Sequence, residues 1–118
     1  GRAIAGGQGA TRSPWTPGEL ARLWDYLTPN AQRVLATVAR RPEGYAHEDL
    51  VRDLDSDMRS IGGNLSSVGH AMRRLFRSGD TYLKPRPIEN DYAWRRYRMD
   101  EDVAEMVRGL SPETTEDD

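Results

Sequence analysis

Hydrophobic residues recur every three or four positions along most of the chain, which is the spacing of helices with one buried face. Residues 16–19 read TPGE, a capping hydroxyl followed by proline and by a glutamate that can bond back to the cap. This pattern predicts a first helix that ends at about Leu27. Thr28 and Pro29 repeat the start signal, so a second helix is predicted from there to about Arg41.

Two more helices are predicted after a short extended piece at residues 44–46. The third covers residues 47–54, and the fourth, which is the longest, covers residues 57–77. Two glycines at positions 62 and 63 leave an alternative open, in which the fourth helix bends there or begins only at Asn64.

Alternating side chains predict a β-hairpin after the fourth helix. Its arms are residues 81–88 and 92–99, and the polar residues 89–91 between them form the predicted turn. Pro85 and Pro87 lack a backbone N–H, so the first arm must be an edge strand or be partly irregular.

The predicted fold class is therefore mainly α with a small β-hairpin, in one domain. A last helix over residues 100–110 completes it, with acidic residues in its first turn and apolar residues facing inward. We expect the domain to span residues 15–110. Residues 1–14 should form a flexible leader and residues 111–118 an acidic, disordered tail, because both segments have almost no large apolar side chains.

Charge is distributed unevenly along the chain, although the total is only −2. Residues 59–98 carry nine basic and three acidic side chains, a net charge of +6. Residues 1–58 carry −1 and residues 100–118 carry −7. A basic helix next to a basic hairpin is the electrostatic pattern of a nucleic-acid-binding protein.

Composition narrows the function classes further. The chain contains no cysteine, which excludes disulfides, thiolate zinc sites and cysteine nucleophiles. Its two histidines, His47 and His70, lie on different predicted helices, so we expect no metal site and no cofactor. No apolar stretch approaches the length of a membrane span, and no catalytic motif is present. These features favour a cytoplasmic protein without enzymatic activity.

The order of three helices, a fourth that ends in arginines and a basic hairpin resembles the winged helix-turn-helix superfamily. The residues that carry the resemblance are AHEDLVRDL at 46–54, LSSVGHAMRRL at 65–75 and the basic hairpin. The chain looks most similar to small uncharacterised winged-helix proteins of actinobacterial type. In this superfamily the second of these helices is the recognition helix and the hairpin, here 81–99, is the wing. The resemblance implies a nucleoid-associated transcriptional regulator that binds double-stranded DNA, and it names no small-molecule effector.

The polar face of the fourth helix is the predicted reading surface. At about 100° per residue, its apolar side chains fall within one arc, while hydroxyls, a histidine and arginines fall on the other side. Small residues allow a helix to enter the major groove, hydroxyls and histidine can meet base edges, and arginines reach phosphates or guanine. The alternative is an ordinary amphipathic helix whose polar face contacts only water.

The predicted DNA contacts combine this face with basic positions of the hairpin. They are Asn64, Ser66, Ser67, His70, Arg73, Arg74, Arg77, Lys84, Arg86, Arg95 and Arg96. The hairpin cations would meet phosphates or a minor groove, whereas the alternative leaves them solvated while Tyr97 and Met99 pack inward. Trp94 is predicted to cover the core, with a stacking platform for an unpaired base as the alternative.

A second function remains open from the sequence. In this alternative the chain is a winged-helix protein-interaction module without DNA binding, and its basic face meets an acidic protein. A homodimer is a further partner that the sequence allows, because Trp15, Trp24 and Tyr26 supply apolar surface in and before the first helix.

Overall fold

The computed structural model describes residues 14–111 of the 118-residue chain. The predicted leader, apart from Pro14, and the predicted tail, apart from Ser111, lie outside the described residues. Within that range the helices are α1 (Pro17–Tyr26), α2 (Pro29–Val38), α3 (His47–Leu54), α4 (Met58–Leu75) and α5 (Glu101–Leu110). The strands are β1 (Tyr45–Ala46), β2 (Arg77–Ser78), β3 (Thr81–Tyr82), β4 (Glu89–Asp91) and β5 (Arg96–Arg98).

The first two helices begin where the sequence predicts them, because a threonine caps each one. The Thr16 hydroxyl accepts a hydrogen bond from the Glu19 backbone N–H at 3.3 Å, and the Glu19 carboxylate accepts one from the Thr16 N–H at 3.1 Å. Thr28 caps α2 in the same way by accepting from the Ala31 N–H at 3.2 Å. Each cap satisfies backbone donors that the first helical turn leaves without partners.

The longest helix, α4, continues through both of its consecutive glycines. Asp57 caps it by accepting a hydrogen bond from the Ser60 backbone N–H at 2.8 Å, so the helix begins at Met58. The alternative start at Asn64 is therefore wrong. The cap and the buried stripe of the following turns hold the glycines in helical conformation despite their low helix propensity.

The turn between α3 and α4 consists of residues 55–57, and Asp55 makes it with a backbone φ of +52°. This is the left-handed region, in which a Cβ atom is strained and glycine is not. Gly79 occupies the same region with a φ of +61°. A Cβ added at Gly79 would meet no atom within 4 Å, so a substitution there would cause backbone strain and no steric clash.

We expect substitutions at these two positions to have opposite effects on stability. We expect Asp55→Gly to raise the free energy of unfolding by up to about 1 kcal/mol, because it removes the strain at the turn. Gly79→Ala should lower it by about 1 kcal/mol for the converse reason. Urea unfolding measures both values, and a destabilised Asp55→Gly protein would contradict this account of the turn.

A three-stranded antiparallel sheet has the strand order β1-β5-β4. The last strand of the chain thus lies in the middle, with Tyr97 opposite Tyr45 on one side and Asn90 on the other. β2 and β3 form a separate two-stranded hairpin directly after α4. The glycine with positive φ sits in the turn of this small hairpin and permits its tight reversal.

The observed strands correct the predicted hairpin. Residues 89–91, predicted as its turn, form strand β4, and the turn lies instead at residues 92–95. The predicted first arm is divided, because residues 81–82 pair back onto β2 while residues 83–88 connect the two hairpins as irregular chain. Pro85 and Pro87 lie in that connection, where no ladder hydrogen bond is required of them.

The core lies among the five helices and one face of the three-stranded sheet. α2 packs against α4, and α5 packs against both α1 and α2. Tyr97 and Met99 are buried, as the strand alternation predicts. No helix within residues 14–111 is both long and apolar enough to cross a bilayer.

Trp15 belongs to this core. Its ring meets the Phe76 ring edge-on with 5.0 Å between centroids, and its indole N–H donates to the Pro85 carbonyl at 2.9 Å. Trp15 therefore cannot supply surface to a homodimer, contrary to the sequence prediction, whereas Trp24 is half-buried and Tyr26 is exposed.

Candidate nucleic-acid interface

One long face of α4 is open to solvent, and so are Arg77 and Ser78 of strand β2. Ile61, Val68, Ala71 and Met72 hold the helix against the core. The exposed side chains on the opposite face are Arg59, Ser66, His70, Arg73, Arg74 and, beyond the end of the helix, Arg77. A helix with 18 residues extends about 27 Å, so these groups form a basic strip along most of one side of the domain.

A groove of about 820 Å³ separates α4 from the chain segment that leads into the three-stranded sheet. Gly62, Ser66, Gly69 and Arg73 lie along its α4 wall. The opposite wall includes Arg86, Asn90, Tyr92 and Arg98. Since glycine and serine project little, the α4 wall is low, and an extended ligand can approach the helix backbone closely.

The ion pairs of the domain are concentrated away from this groove. Arg41 pairs with Asp49 at 3.3 Å and with Asp53 at 3.6 Å, and Arg52 pairs with the same two carboxylates at 3.2 and 3.1 Å. This cluster neutralises much of the charge of α3 and of the α2–α3 connection. Its arginines are consequently poor candidates for binding an external anion.

The arginines on the α4 side of the domain differ from those of this ion-pair cluster. Within residues 14–111 no carboxylate lies within ion-pairing distance of Arg59, Arg73, Arg74, Arg77, Arg86, Arg95 or Arg98. All seven side chains are exposed. We call these seven residues the unpaired arginine set. Their charges are available to an external polyanion without breaking an interaction inside the described part of the protein.

The predicted hydroxyl, amide and histidine positions are not all equivalent in the structure. Ser66 and His70 point outward, although the Ser66 hydroxyl donates to the Gly62 carbonyl at 3.1 Å. Asn64 and Ser67 are half-buried and lie on the flank of α4 that faces away from the groove. Ser66, His70 and Arg73 therefore share the exposed face of α4.

Lys84, which the sequence places among the predicted DNA contacts, is buried and held within the fold. Only 6% of Lys84 is exposed. Its ammonium group pairs with the Glu19 carboxylate at 2.6 Å and donates to the Pro14 carbonyl at 3.1 Å. The lysine thus ties the start of α1 to the connection between the two hairpins, since a buried charge must have partners inside the fold.

Arg96 is also committed within the protein, so it does not join the unpaired arginine set. Its guanidinium pairs with Asp91 at 3.2 Å and lies over the Trp94 ring, 5.9 Å from the centroid. The stem packs against Gly44, where an added Cβ would come within 2.8 Å of Arg96 Cδ. These contacts hold the guanidinium at the base of the hairpin turn and leave it half-buried.

The sequence prediction also misplaced Trp94. Its side chain is 73% exposed and that of Tyr92 is 78% exposed, so neither covers the core. Both lie in the turn at residues 92–95, which we call the aromatic turn. The sequence offered the right signal, because a tryptophan beside polar turn residues is easily exposed, but the misplaced turn put it on a strand.

The three-stranded sheet is anchored to the start of α3. The His47 ring bonds the Asn90 side-chain oxygen at 2.8 Å and lies 4.8 Å from the Tyr97 ring. The His47 backbone N–H donates to the Arg95 carbonyl at 2.8 Å. These contacts fix the position of the aromatic turn relative to α3 and α4.

Tyr45 strengthens the same anchor. Its hydroxyl donates to Asp53, and the Arg41 guanidinium lies over its ring, 4.1 Å from the centroid. Burial raises the pKa of Tyr45, and the hydrogen bond from Tyr45 lowers the pKa of the Asp53 carboxyl. At neutral pH the phenol is therefore protonated and the carboxylate is charged, which is the pairing that the hydrogen bond requires.

Comparison of the chain with protein-family models, with curated proteins and with solved structures gave no match.

Proposed function

We propose that this chain is a winged helix-turn-helix protein that binds double-stranded DNA and regulates transcription. In this proposal α4 is the recognition helix, and the β4–β5 hairpin with the aromatic turn is the wing. The observation that carries the proposal is the unpaired arginine set, which gathers along α4 and the neighbouring hairpin, whereas Arg41, Arg52, Lys84 and Arg96 pair with carboxylates within the fold.

The topology supports the same proposal. A short strand precedes α3, the link from α3 to α4 has three residues, and the final hairpin places its second strand beside that first strand. Two helices joined by a turn of three to four residues, the second of them exposed, are typical of the helix-turn-helix motif. The additional hairpin β2–β3 extends the end of α4 and carries Arg77.

The charge arrangement suits a phosphate backbone. Duplex DNA carries one negative charge per about 1.7 Å of its axis, so arginines at the two ends of α4, which is about 27 Å long, can meet several phosphates together. Ser66 and His70 lie within this strip and are small or planar enough to reach base edges in a major groove. In this arrangement the arginines supply most of the affinity, and Ser66 and His70 contribute sequence preference.

One observation favours a second candidate function, a winged-helix module that binds another protein. Tyr92 and Trp94 are the two most exposed large aromatic side chains in the described residues. Exposed aromatic residues beside arginine are frequent anchors of protein interfaces. The unpaired arginine set would then meet an acidic partner in place of DNA.

A salt series with random-sequence duplex DNA separates the two functions. If five to seven arginines meet phosphates, the logarithm of the binding constant should fall against the logarithm of salt with a slope of roughly −4 to −6. Fluorescence anisotropy of a labelled duplex measures this slope. Absence of binding at about 50 mM salt would contradict the DNA proposal and favour the protein-interaction module.

A further inference from the structure

We propose that the aromatic turn is a stacking site for an unpaired nucleobase, so that the protein prefers DNA with locally unpaired bases to fully paired duplex. This inference rests on the proposed DNA-binding function and adds a ligand class to it. It assigns Trp94 as the stacking surface and Arg96 as the residue that positions it.

The exposure of the turn is the first supporting observation. Trp15 is buried and Trp24 is half-buried, whereas Trp94 is 73% exposed and Tyr92, two residues earlier, is 78% exposed. Large aromatic side chains are rarely this exposed in a free protein unless a partner covers them in a complex. The reason is that removing an aromatic face from water is favourable. Two of them are thus exposed in one four-residue turn at the tip of the hairpin.

The second observation is that the Trp94 ring is supported from one side. The Arg96 guanidinium lies 5.9 Å from its centroid, and Asp91 holds that guanidinium at 3.2 Å. The Asp91 carboxylate also accepts the Trp94 backbone N–H at 3.4 Å. Gly44 leaves the space through which the Arg96 stem passes. The support positions the ring and leaves most of its surface open to solvent.

The third observation is the charge around the turn, which selects a nucleobase as the occupant over an apolar protein side chain. Arg95 lies in the turn and Arg98 lies three residues further along, at the end of β5, and both belong to the unpaired arginine set. A stacked base brings a phosphate on each side of it, and an exposed cation in the turn with a second one on the adjoining strand complements that pattern. Tyr92 lies on the wall of the α4 groove opposite Arg73, so the turn is continuous with the proposed duplex surface.

The test compares two labelled DNAs with the same number of phosphates. One is a fully paired duplex, and the other is the same duplex with about four central mismatched thymidine pairs that remain unstacked. We expect the full chain to bind the second DNA about tenfold more tightly, within the range reported for stacking of one base on an aromatic side chain. Tryptophan fluorescence should be quenched more strongly by the DNA with unpaired bases.

Variants identify the residue responsible. Trp94→Ala should abolish the preference for unpaired bases and the additional quenching, because the stacking surface is then absent. Trp94→Phe should keep part of the preference. Tyr26→Ala removes an exposed aromatic residue of α1 and should change nothing. Equal thermal unfolding curves would show that the compared proteins are folded.

Each outcome decides between the two proposals. Equal affinity of the unaltered protein for both DNAs, or a preference that persists in Trp94→Ala, overturns the stacking site and leaves duplex binding in place. Binding to neither DNA overturns both proposals, and the aromatic turn is then assigned to a protein partner.

Discussion

Replacement of Arg73 and Arg77 by alanine should weaken binding to every DNA duplex about 50-fold at about 0.1 M salt. Both side chains are exposed and belong to the unpaired arginine set. Each phosphate contact releases close to one counterion, so loss of two contacts should also make the salt slope shallower by about two units. Sequence preference should change little, because phosphate contacts are common to all sequences.

The matched control is the pair Arg33→Ala and Arg40→Ala. These arginines are also exposed, and no ion pair holds them within the described residues, but they lie on and just after α2. The change in net charge is therefore identical. If the control pair weakens binding as strongly as the Arg73 and Arg77 pair, net charge alone explains the affinity and α4 is not the binding face.

Lys84 and Arg86, two positions apart, should respond in opposite ways to replacement by methionine. Lys84→Met should lower the free energy of unfolding by about 1–3 kcal/mol, because it leaves the Glu19 carboxylate without its partner and removes buried hydrogen bonds. Its effect on the salt slope of DNA binding should be negligible. Arg86→Met should leave stability within about 0.5 kcal/mol and make the salt slope shallower by about one unit.

The same ion pair predicts part of the acid sensitivity of the fold. The hydrogen bond from Lys84 lowers the pKa of Glu19 below its ordinary value of 4.5. A carboxyl group whose pKa is lower in the folded than in the unfolded chain stabilises the fold above the unfolded value. That contribution is lost as the pH falls through the lower, folded value. Lys84→Met should therefore lose less stability on acidification below about pH 5 than the unaltered protein.

Urea unfolding at several pH values, combined with the DNA salt series, tests all of these expectations on the same proteins. A Lys84→Met protein with unaltered stability and a shallower salt slope would reverse the assignment, since it would mean that the lysine leaves its buried site to contact phosphate.

Local signals in the sequence were sufficient for the number and the starts of the helices, whereas α2 ends at Val38 and α4 at Leu75, two or three residues before their predicted ends. The TPGE start of α1, the threonine before α2 and the apolar stripe of α4 each act within a few residues of their own position, so they are legible without tertiary information. The sequence alone leaves the start of α4 open between two alternatives, and the reason is physical. Two glycines disfavour a helix locally, and the Asp57 cap together with burial of Ile61 outweighs them.

The predicted hairpin turn is misplaced because its polar residues have partners outside residues 89–91. Asn90 bonds His47 and Asp91 pairs with Arg96, so side chains that usually mark a turn instead occupy a strand. Sequence pattern does not reveal that His47, on another element, lies within 2.8 Å of Asn90. The observed turn lies a few residues after the predicted one. Trp94, which is predicted to cover the core, is therefore exposed.

The sequence predicts a basic region, and the structure separates its side chains by exposure and pairing. Charge clustering located the strip on α4 and the hairpin, but it could not separate a lysine that is buried against Glu19 from an arginine that faces solvent. Arg59 and Arg98 were consequently omitted, and Lys84 and Arg96 were included. Pairing depends on which carboxylates the fold brings near, and that is a tertiary property.

The most direct test of the central claim is nuclear magnetic resonance mapping of the duplex-binding surface on the full chain. Titration with a duplex of about 15 base pairs should shift backbone amide signals of residues 59–77 and 86–98, and a parallel titration at high salt should suppress the shifts. Signals of α1 and α5 should move little, because those helices lie outside the basic strip. Shifts concentrated in α1 or α5, or no shifts at low salt, would contradict DNA recognition by α4 and the hairpin.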